Sequence, residues 1–300
     1  MASLRDIRKR IKGVKNTQKI TKAMKMVSAA KLRRAQERVL AARPFADKIA
    51  AAAADLARRG ANLGEAPHPL LTSRPEAQKG GKVELLAITS DRGLCGAFNA
   101  NVTRRALRWR FDHRDIHKEI KVSTVGKKSA EAMKREAVPL RKVYENIWDA
   151  MSYQKAQAIA FELAELYTSG QIDAVHIIYN EFVNAATQRI VVDQILPVAV
   201  ASTPGAPTGG ADDGADYEYE PGQQELLDAL LPRQLATRIY RALLESQAAE
   251  HAARMQAMEN ASKNAKEVVE ALTLFYNRAR QAAITKELME IISGAEALKG

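Results

Sequence analysis

Arg233–Ser293 reads RQLATRIYRALLESQAAEHAARMQAMENASKNAKEVVEALTLFYNRARQAAITKELMEIIS, sixty-one residues without a glycine or a proline. Ala, Leu, Glu, Gln, Lys and Arg dominate it, the residues that lose least in a helix. One helix of that length spans roughly 90 Å, whereas an ordinary globular helix has about 11–12 residues. No core of a 300-residue chain covers such a rod, so it must project and find a partner along its length. Its apolar positions describe that partner. Leu235, Ile239 and Leu243 recur at four. Met255, Met258, Ala265, Val269, Leu272, Tyr276, Ala279, Ile284, Leu288 and Ile291 follow at three, four or seven, with one spacing of five. This is the narrow seam of a coiled coil, not the wider stripe of a helix lying on a globular core. Between Ser246 and Arg254 the seam thins to Ala, Gln, His and Arg, a slim segment that permits close approach.

A second rod is expected at the other end. Over residues 2–43, Leu4, Ile7, Ile11, Val14, Ile20, Met24 and Val27 fall on one helical face, while Arg5, Arg8, Lys9, Lys12, Lys15, Lys19, Lys22 and Lys25 occupy the others. Helix resumes after Pro44 from Ile49 to Arg59, and Gly60–Gly64 ends it. Two rods with one seam each are most simply each other's partner, and because the chain returns between them the pairing is antiparallel. Charge is concentrated in the same place. Residues 1–60 hold 17 Lys+Arg against 4 Asp+Glu, and the remaining 240 hold 29 against 31, so the net +11 of the whole chain resides in the first fifth. A basic arm raises nucleic acid, an anionic membrane or an acidic protein surface as its partner. Residues 1–44 contain no aromatic side chain to stack on bases, which lowers the single-strand reading.

Between the rods the pattern changes to α/β. Val83–Thr89, Ile120–Val125, Ile172–Tyr179 and Arg189–Val200 read as strands, and Asn99–Arg110 and Ser152–Ser169 as helices. Alternation of this kind gives a mostly parallel, Rossmann-like sheet. Residues 202–224 read as an acidic loop, and Pro232 marks a kink or restart before the long helix. The expected organisation is a coiled-coil helix over 1–60, an α/β domain over 65–224 and a second coiled-coil helix over 225–300. Apolar residues make up 46% and aromatics only 5%, which suits closely packed rods. The single Cys95 excludes an internal disulfide. No apolar run reaches the ~20 residues that span a bilayer, so the chain is expected to be soluble or peripheral on a larger assembly.

Few residues suggest chemistry. The turn Asp91–Gly96 sits where a strand meets a helix, the place where α/β folds hold phosphates. Its glycines are spaced Gly-x-x-Gly, unlike either phosphate-binding fingerprint, and Gly126-Lys127 fails the same test. A tight packing turn is the favoured reading. His113 and His117 have a zinc-helix spacing but lack the Glu that should follow the first His. No nucleophile elbow is present. No catalytic centre, cofactor or metal is expected.

The run Ile7–Val27, with Val14-Lys15-Asn16-Thr17-Gln18-Lys19-Ile20-Thr21-Lys22-Ala23-Met24-Lys25-Met26-Val27 at its centre, resembles the amino-terminal helix of the gamma subunit of F-type ATP synthase. Thr89–Gly96, Glu250–Met258 and Tyr276–Leu288 match the same family in the same order, so the resemblance covers essentially the whole chain. It implies the central rotor: an antiparallel coiled coil inside a ring of alpha and beta subunits, with the α/β domain beside the epsilon subunit on the ring of membrane c subunits. Carried over by motif, Met24, Glu250, Arg254, Arg280, Gln281 and Thr285 would meet the beta subunits, and Tyr217, Tyr219 and Glu220 the c ring. The beta surfaces are acidic in that family, which would account for the basic arm without nucleic acid. With one cysteine the chain lacks the regulatory cysteine pair of the plant chloroplast form. No transit-peptide pattern precedes Met1, so the expectation is a bacterial protein, peripheral on the cytoplasmic face of the inner membrane. A basic coiled-coil nucleic-acid binder and a nucleotide-binding α/β enzyme are the alternatives.

Overall fold

The computed structural model describes residues 3–62, 68–198 and 222–297. Two helices frame the chain, α1 (Leu4–Asn62, 59 residues) and α5 (Gln223–Ala297, 75 residues). Between them run β1 (Lys82–Ile88), α2 (Phe98–His113), β2 (Glu119–Val125), α3 (Lys127–Arg135), β3 (Leu140–Tyr144), α4 (Tyr153–Thr168), β4 (Ala174–Phe182) and β5 (Gln188–Leu196). The chain divides into two compact units, one of Met1–Ala29 with Arg254–Gly300 and one of Ala30–Ala253.

The larger unit is built on a five-stranded sheet in the order β3-β2-β1-β4-β5. The first three pairings are parallel and β4–β5 is antiparallel. β1 is buried on both faces, which is why it reads as a continuous apolar run. Leu86 and Ile88 point into a core with Ile159, Leu163 and Tyr167 of α4, while Leu85 and Ala87 meet Val102, Ala106 and Trp109 of α2 on the other face. Leu227, Leu231, Leu235, Ile239 and Leu243 of α5 belong to the first of these cores. Here the expected coiled-coil seam is corrected: this half of α5 is a core helix. Its buried stripe is wide, taking in Gln234, Ala236, Thr237, Ala242 and Leu244 as well.

Neither proline breaks its helix. Pro44 lies within α1 and Pro232 within α5. An interior proline removes one backbone hydrogen bond and costs about 3 kcal/mol. Pro44 is exposed, so the orphaned carbonyl four residues back can turn to water. At Pro232 the carbonyl in question belongs to exposed Asp228, while buried Leu227, Leu231 and Leu235 hold the helix to the core on both sides of the interruption. Tertiary burial outweighs the local penalty. The reading also missed α3 and β3. Both are short and rich in Lys and Arg, and β3 is an edge strand, where charge is common and blunts further pairing.

In the smaller unit the two helix ends run antiparallel. The Arg8 guanidinium donates to the Tyr276 hydroxyl at 2.5 Å, and Lys25 pairs with Glu259. Opposed residue numbers thus add to 284. The least exposed positions of α1 here are Leu4, Ile7, Ile11, Val14, Gln18, Thr21, Lys25 and Ser28, alternating by three and four. This is a heptad seam whose second half is polar. Ile20 and Val27, expected on it, are exposed instead, and Met24 lies half-buried on its flank. On α5 the seam is Met255, Met258, Ser262, Ala265, Val269, Leu272, Tyr276, Ala279 and Ala283. Ile284, Leu288 and Ile291, expected to continue it, are exposed. By the same register, α1 has no described residue opposite anything beyond position 281.

Candidate functional site

The turn from β1 into α2 is the place to look for a ligand in a fold of this kind, because the sheet order reverses beside it. Several of its donors and acceptors are engaged within the fold. Ser90 N–H donates to Asn99 Oδ1 at 2.9 Å, Ser90 Oγ donates to the Arg92 carbonyl at 2.7 Å, and Trp148 Nε1 donates to the Thr89 carbonyl at 2.9 Å. The start of α3, whose free N–H groups would suit a phosphate, is capped from the same turn. Lys127 N–H donates to Asp91 Oδ1 at 2.9 Å, Lys128 N–H to the Ser90 carbonyl at 3.2 Å, and Ser129 N–H to Thr89 Oγ1 at 3.0 Å. Gly126, at φ +91°, lies so close to Thr89 that a Cβ there would overlap its carbonyl oxygen.

The crevice itself holds α5. Ala249 packs against Cys95 and Phe98, with Phe182 and Ala253 around them. Ser246, Ala248, Ala249 and Ala252 are fully buried. The slim segment read from the sequence is therefore where the helix presses against the strand-to-helix turn, its side chains too short to hold it away. The packing-turn reading of Asp91–Gly96 accounts for all of these contacts.

The predicted partner-contact residues fall into two groups. Glu250 is buried in the larger unit, one helical turn before Arg254, which is half-buried in the smaller one. Met24 lies at the level of Asn260, about 9 Å along the axis from Arg254 at 1.5 Å per residue. Arg280, Gln281 and Thr285 are exposed about 39–47 Å further along α5 than Arg254. The Thr285 hydroxyl donates to the Gln281 carbonyl at 3.0 Å. Within the smaller unit, Met24, Arg254, Arg280, Gln281 and Thr285 thus make two separate levels. Tyr217, Tyr219 and Glu220 lie outside the described residues.

Two features mark the surface of the smaller unit. Arg5, Lys9, Arg10, Lys12, Lys15, Lys19 and Lys22 are exposed, and among the described residues none has a carboxylate within ion-pair distance. Beyond the level of Leu4, the first residue of α1, Ile284, Leu288, Met289, Ile291 and Ile292 form an apolar tip on α5, with Ile291 70% exposed. The clue was available: the helix pattern extends past every position that an antiparallel partner starting at residue 4 can cover.

Elsewhere the titratable groups are structural. Glu84, fully buried in β1, meets Arg141 Nε at 3.0 Å, and Arg141 reaches Glu162 at 2.7 Å. Burial pushes the Glu84 carboxyl up, against Ser123, Arg141 and Lys121. Burial would lower Arg141, but Glu162 and Glu84 outweigh it and hold the guanidinium above its ordinary value. His113, His117 and His176 gather around Trp109. Burial, then its two histidine neighbours, lowers His176 to about 4. The described residues contain no group of three or more side chains able to hold a metal ion, and no described helix is long and apolar enough to cross a membrane.

Known proteins share this arrangement. The family model described as ATP synthase matches residues 3–298. The ATP synthase gamma chain of Anaeromyxobacter sp. (strain Fw109-5) is 50% identical over 299 residues, covering 100% of both chains. That of Geobacter sp. (strain M21) is 49% identical over 302 residues, again covering 100% of both. Among solved structures, a chain of the central stalk and c ring of the Tetrahymena thermophila mitochondrial ATP synthase matches with a TM-score of 0.57 at 26% identity, over 81% of this chain and 99% of that one. A rotor chain of the Euglena gracilis mitochondrial enzyme matches with a TM-score of 0.60 at 21% identity, over 94% and 98%, a likeness of fold. With half its residues identical to such relatives from end to end, the chain belongs to the ATP synthase gamma-chain family.

Proposed function

We propose that this chain is the rotor of an F-type ATP synthase, a subunit without an active site of its own that turns inside a ring of alpha and beta subunits. The observation that carries this reading is the apolar tip of α5. Contiguous exposed apolar surface of this kind marks an interaction site, and among the described residues no turn of α1 stands opposite to cover it. An apolar surface of the surrounding ring would do so. The exposed cations of α1 suit acidic surfaces lower in the ring, and charge complementarity there would set register and association rate more than affinity.

Coupling follows from asymmetry. A shaft with unlike faces makes different contacts with each beta subunit, and a partner shifts an equilibrium only by its differential affinity for the two states. Turning the shaft therefore changes the open–closed bias of each beta subunit in sequence. Proton flow through the membrane sector would drive release of ATP, and hydrolysis would drive the reverse. In this reading Met24, Glu250 and Arg254 meet the moving lever of beta, and Arg280, Gln281 and Thr285 meet its inner loops. Tyr217, Tyr219 and Glu220 meet the c ring, and the epsilon subunit binds the α/β unit. The complex is membrane-associated, and the chain would lie on the cytoplasmic face of a bacterial inner membrane, held there through its partners.

Reconstitution tests this. The chain should join an alpha/beta hexamer in one copy, and removal of residues 281–300 should weaken its hold and the ATPase activity that depends on it. Failure to join any such hexamer would refute the proposal.

A further inference from the structure

Away from the rod and its seat, a pocket of ≈ 510 Å³ opens at the amino-terminal ends of β2 and β3, under the last turn of α2. We propose that it binds a soluble anion carrying two or more phosphate groups, a pyrophosphate or a nucleoside polyphosphate.

The case begins with charge. Arg110, Arg114, Lys118, Lys121 and Arg141 all line the pocket, against Glu119 alone among its acids. Two of the five are occupied, Arg141 by Glu84 and Glu162, and Arg114 by Asp115 at 3.5 Å. Among the described residues, Arg110, Lys118 and Lys121 have no carboxylate within ion-pair distance. Three cations outside any ion pair, of which Lys121 also stands beside Glu84 in the sheet, repel one another and raise the local concentration of anions around the concavity. Spread over the helix end and the strand start, they suit an extended anion better than a single phosphate.

Two further observations agree. Arg110 Nε and His117 Nδ1 are buried without a hydrogen-bond partner. Unpaired buried groups of this kind are uncommon, and these side chains can turn toward a ligand without losing a bond at those atoms. The rest of the lining is apolar, with Ile120, Pro139 and Leu140 forming a wall on which a ring could rest. The volume lies within the range of small-molecule sites, ~300–1,000 Å³.

Trp109 supplies the readout, because its indole stacks on His113 at 4.1 Å and lies 6.3 Å from His117. The full chain is titrated with sodium pyrophosphate and with ATP, without magnesium, following tryptophan fluorescence and heat. The expected result is saturable binding that weakens about tenfold or more in Arg110→Gln and in Lys118→Glu, as for loss of a charge-assisted bond. The control Lys134→Glu, an exposed site on α3 with the same change in net charge, should stay within about twofold. Tighter binding of ATP than of pyrophosphate would assign the apolar wall to the base, and equal binding would assign recognition to the phosphates alone. Absence of saturable binding to either ligand in a chain with native far-UV circular dichroism would overturn the proposal. So would equal weakening by Lys134→Glu, or binding only to phosphatidylglycerol vesicles.

Discussion

Met258 and Ile291 are apolar residues of similar size on the same face-bearing stretch of α5, and they predict opposite outcomes. Met258 is on the seam and 5% exposed, whereas Ile291 is on the tip and 70% exposed. Met258→Ala removes a side chain buried between two helices, a change that costs about 2–5 kcal/mol in a packed core, with the lower end expected in so slim a pair. Fully burying an isoleucine contributes about 1.5–3 kcal/mol, and Ile291 realises less than a third of that. Alanine regains a few tenths of a kcal/mol in helix propensity. The net effect of Ile291→Ala on the isolated chain should lie within about 0.5 kcal/mol of zero. Urea unfolding followed by circular dichroism at the helix band measures both, because the smaller unit contains no tryptophan. Capture on an alpha/beta hexamer then separates the roles: Ile291→Ala should dissociate faster while folding normally. A loss above about 2 kcal/mol in the isolated Ile291→Ala chain would mean that the tip is already packed within the chain, and the reasoning would fail.

Gly126→Ala should be far more damaging than its size suggests, roughly 2–5 kcal/mol from a left-handed φ together with overlap on the Thr89 carbonyl; a calorimetric Tm within a degree of wild type would contradict it. Acid should destabilise the larger unit through His176, which stays neutral in the fold down to about 4 but takes a proton near 6.5 when unfolded. That stability is fully present above 6.5 and is lost as pH falls toward 4, amounting to about 3 kcal/mol, and the slope of stability against pH should shrink in His176→Gln. Met24→Lys places a new cation on the half-buried flank of the seam, beside the acidic lever proposed for beta, and should weaken coupling by favouring one rotary position. Normal ATP-driven proton pumping in that variant would refute the role given to Met24.

Much of the architecture was legible because periodicity and burial coincide over most of the chain. Met255, Met258, Ala265, Val269, Leu272, Tyr276 and Ala279 read as a seam and form one. The departures have one cause: hydrophobicity is a proxy for burial, and it fails where the two separate. On α1 the seam passes through Gln18, Thr21 and Ser28 while Ile20 and Val27 face outward, so a reading that follows apolar residues slips off the heptad. At the end of α5 the apolar pattern continues after the partner helix has stopped, and Ile284 and Ile291 are exposed. Pro44 and Pro232 looked like breaks because a local penalty cannot show the packing that outweighs it. Of the candidate site, the slim Ala-rich segment was visible in sequence, but its occupant, the Cys95–Phe98 turn, depends on tertiary contacts. The separation of Arg254 from Arg280 into two levels follows from helix rise alone.

Rotation itself is the decisive observable. A probe attached through Lys134→Cys, an exposed position on α3, reports the orientation of this chain in a reconstituted complex fixed by its alpha/beta hexamer. Stepwise, one-directional turning under ATP is the predicted result. A probe that holds a fixed orientation while the same complexes hydrolyse ATP would contradict the rotor reading.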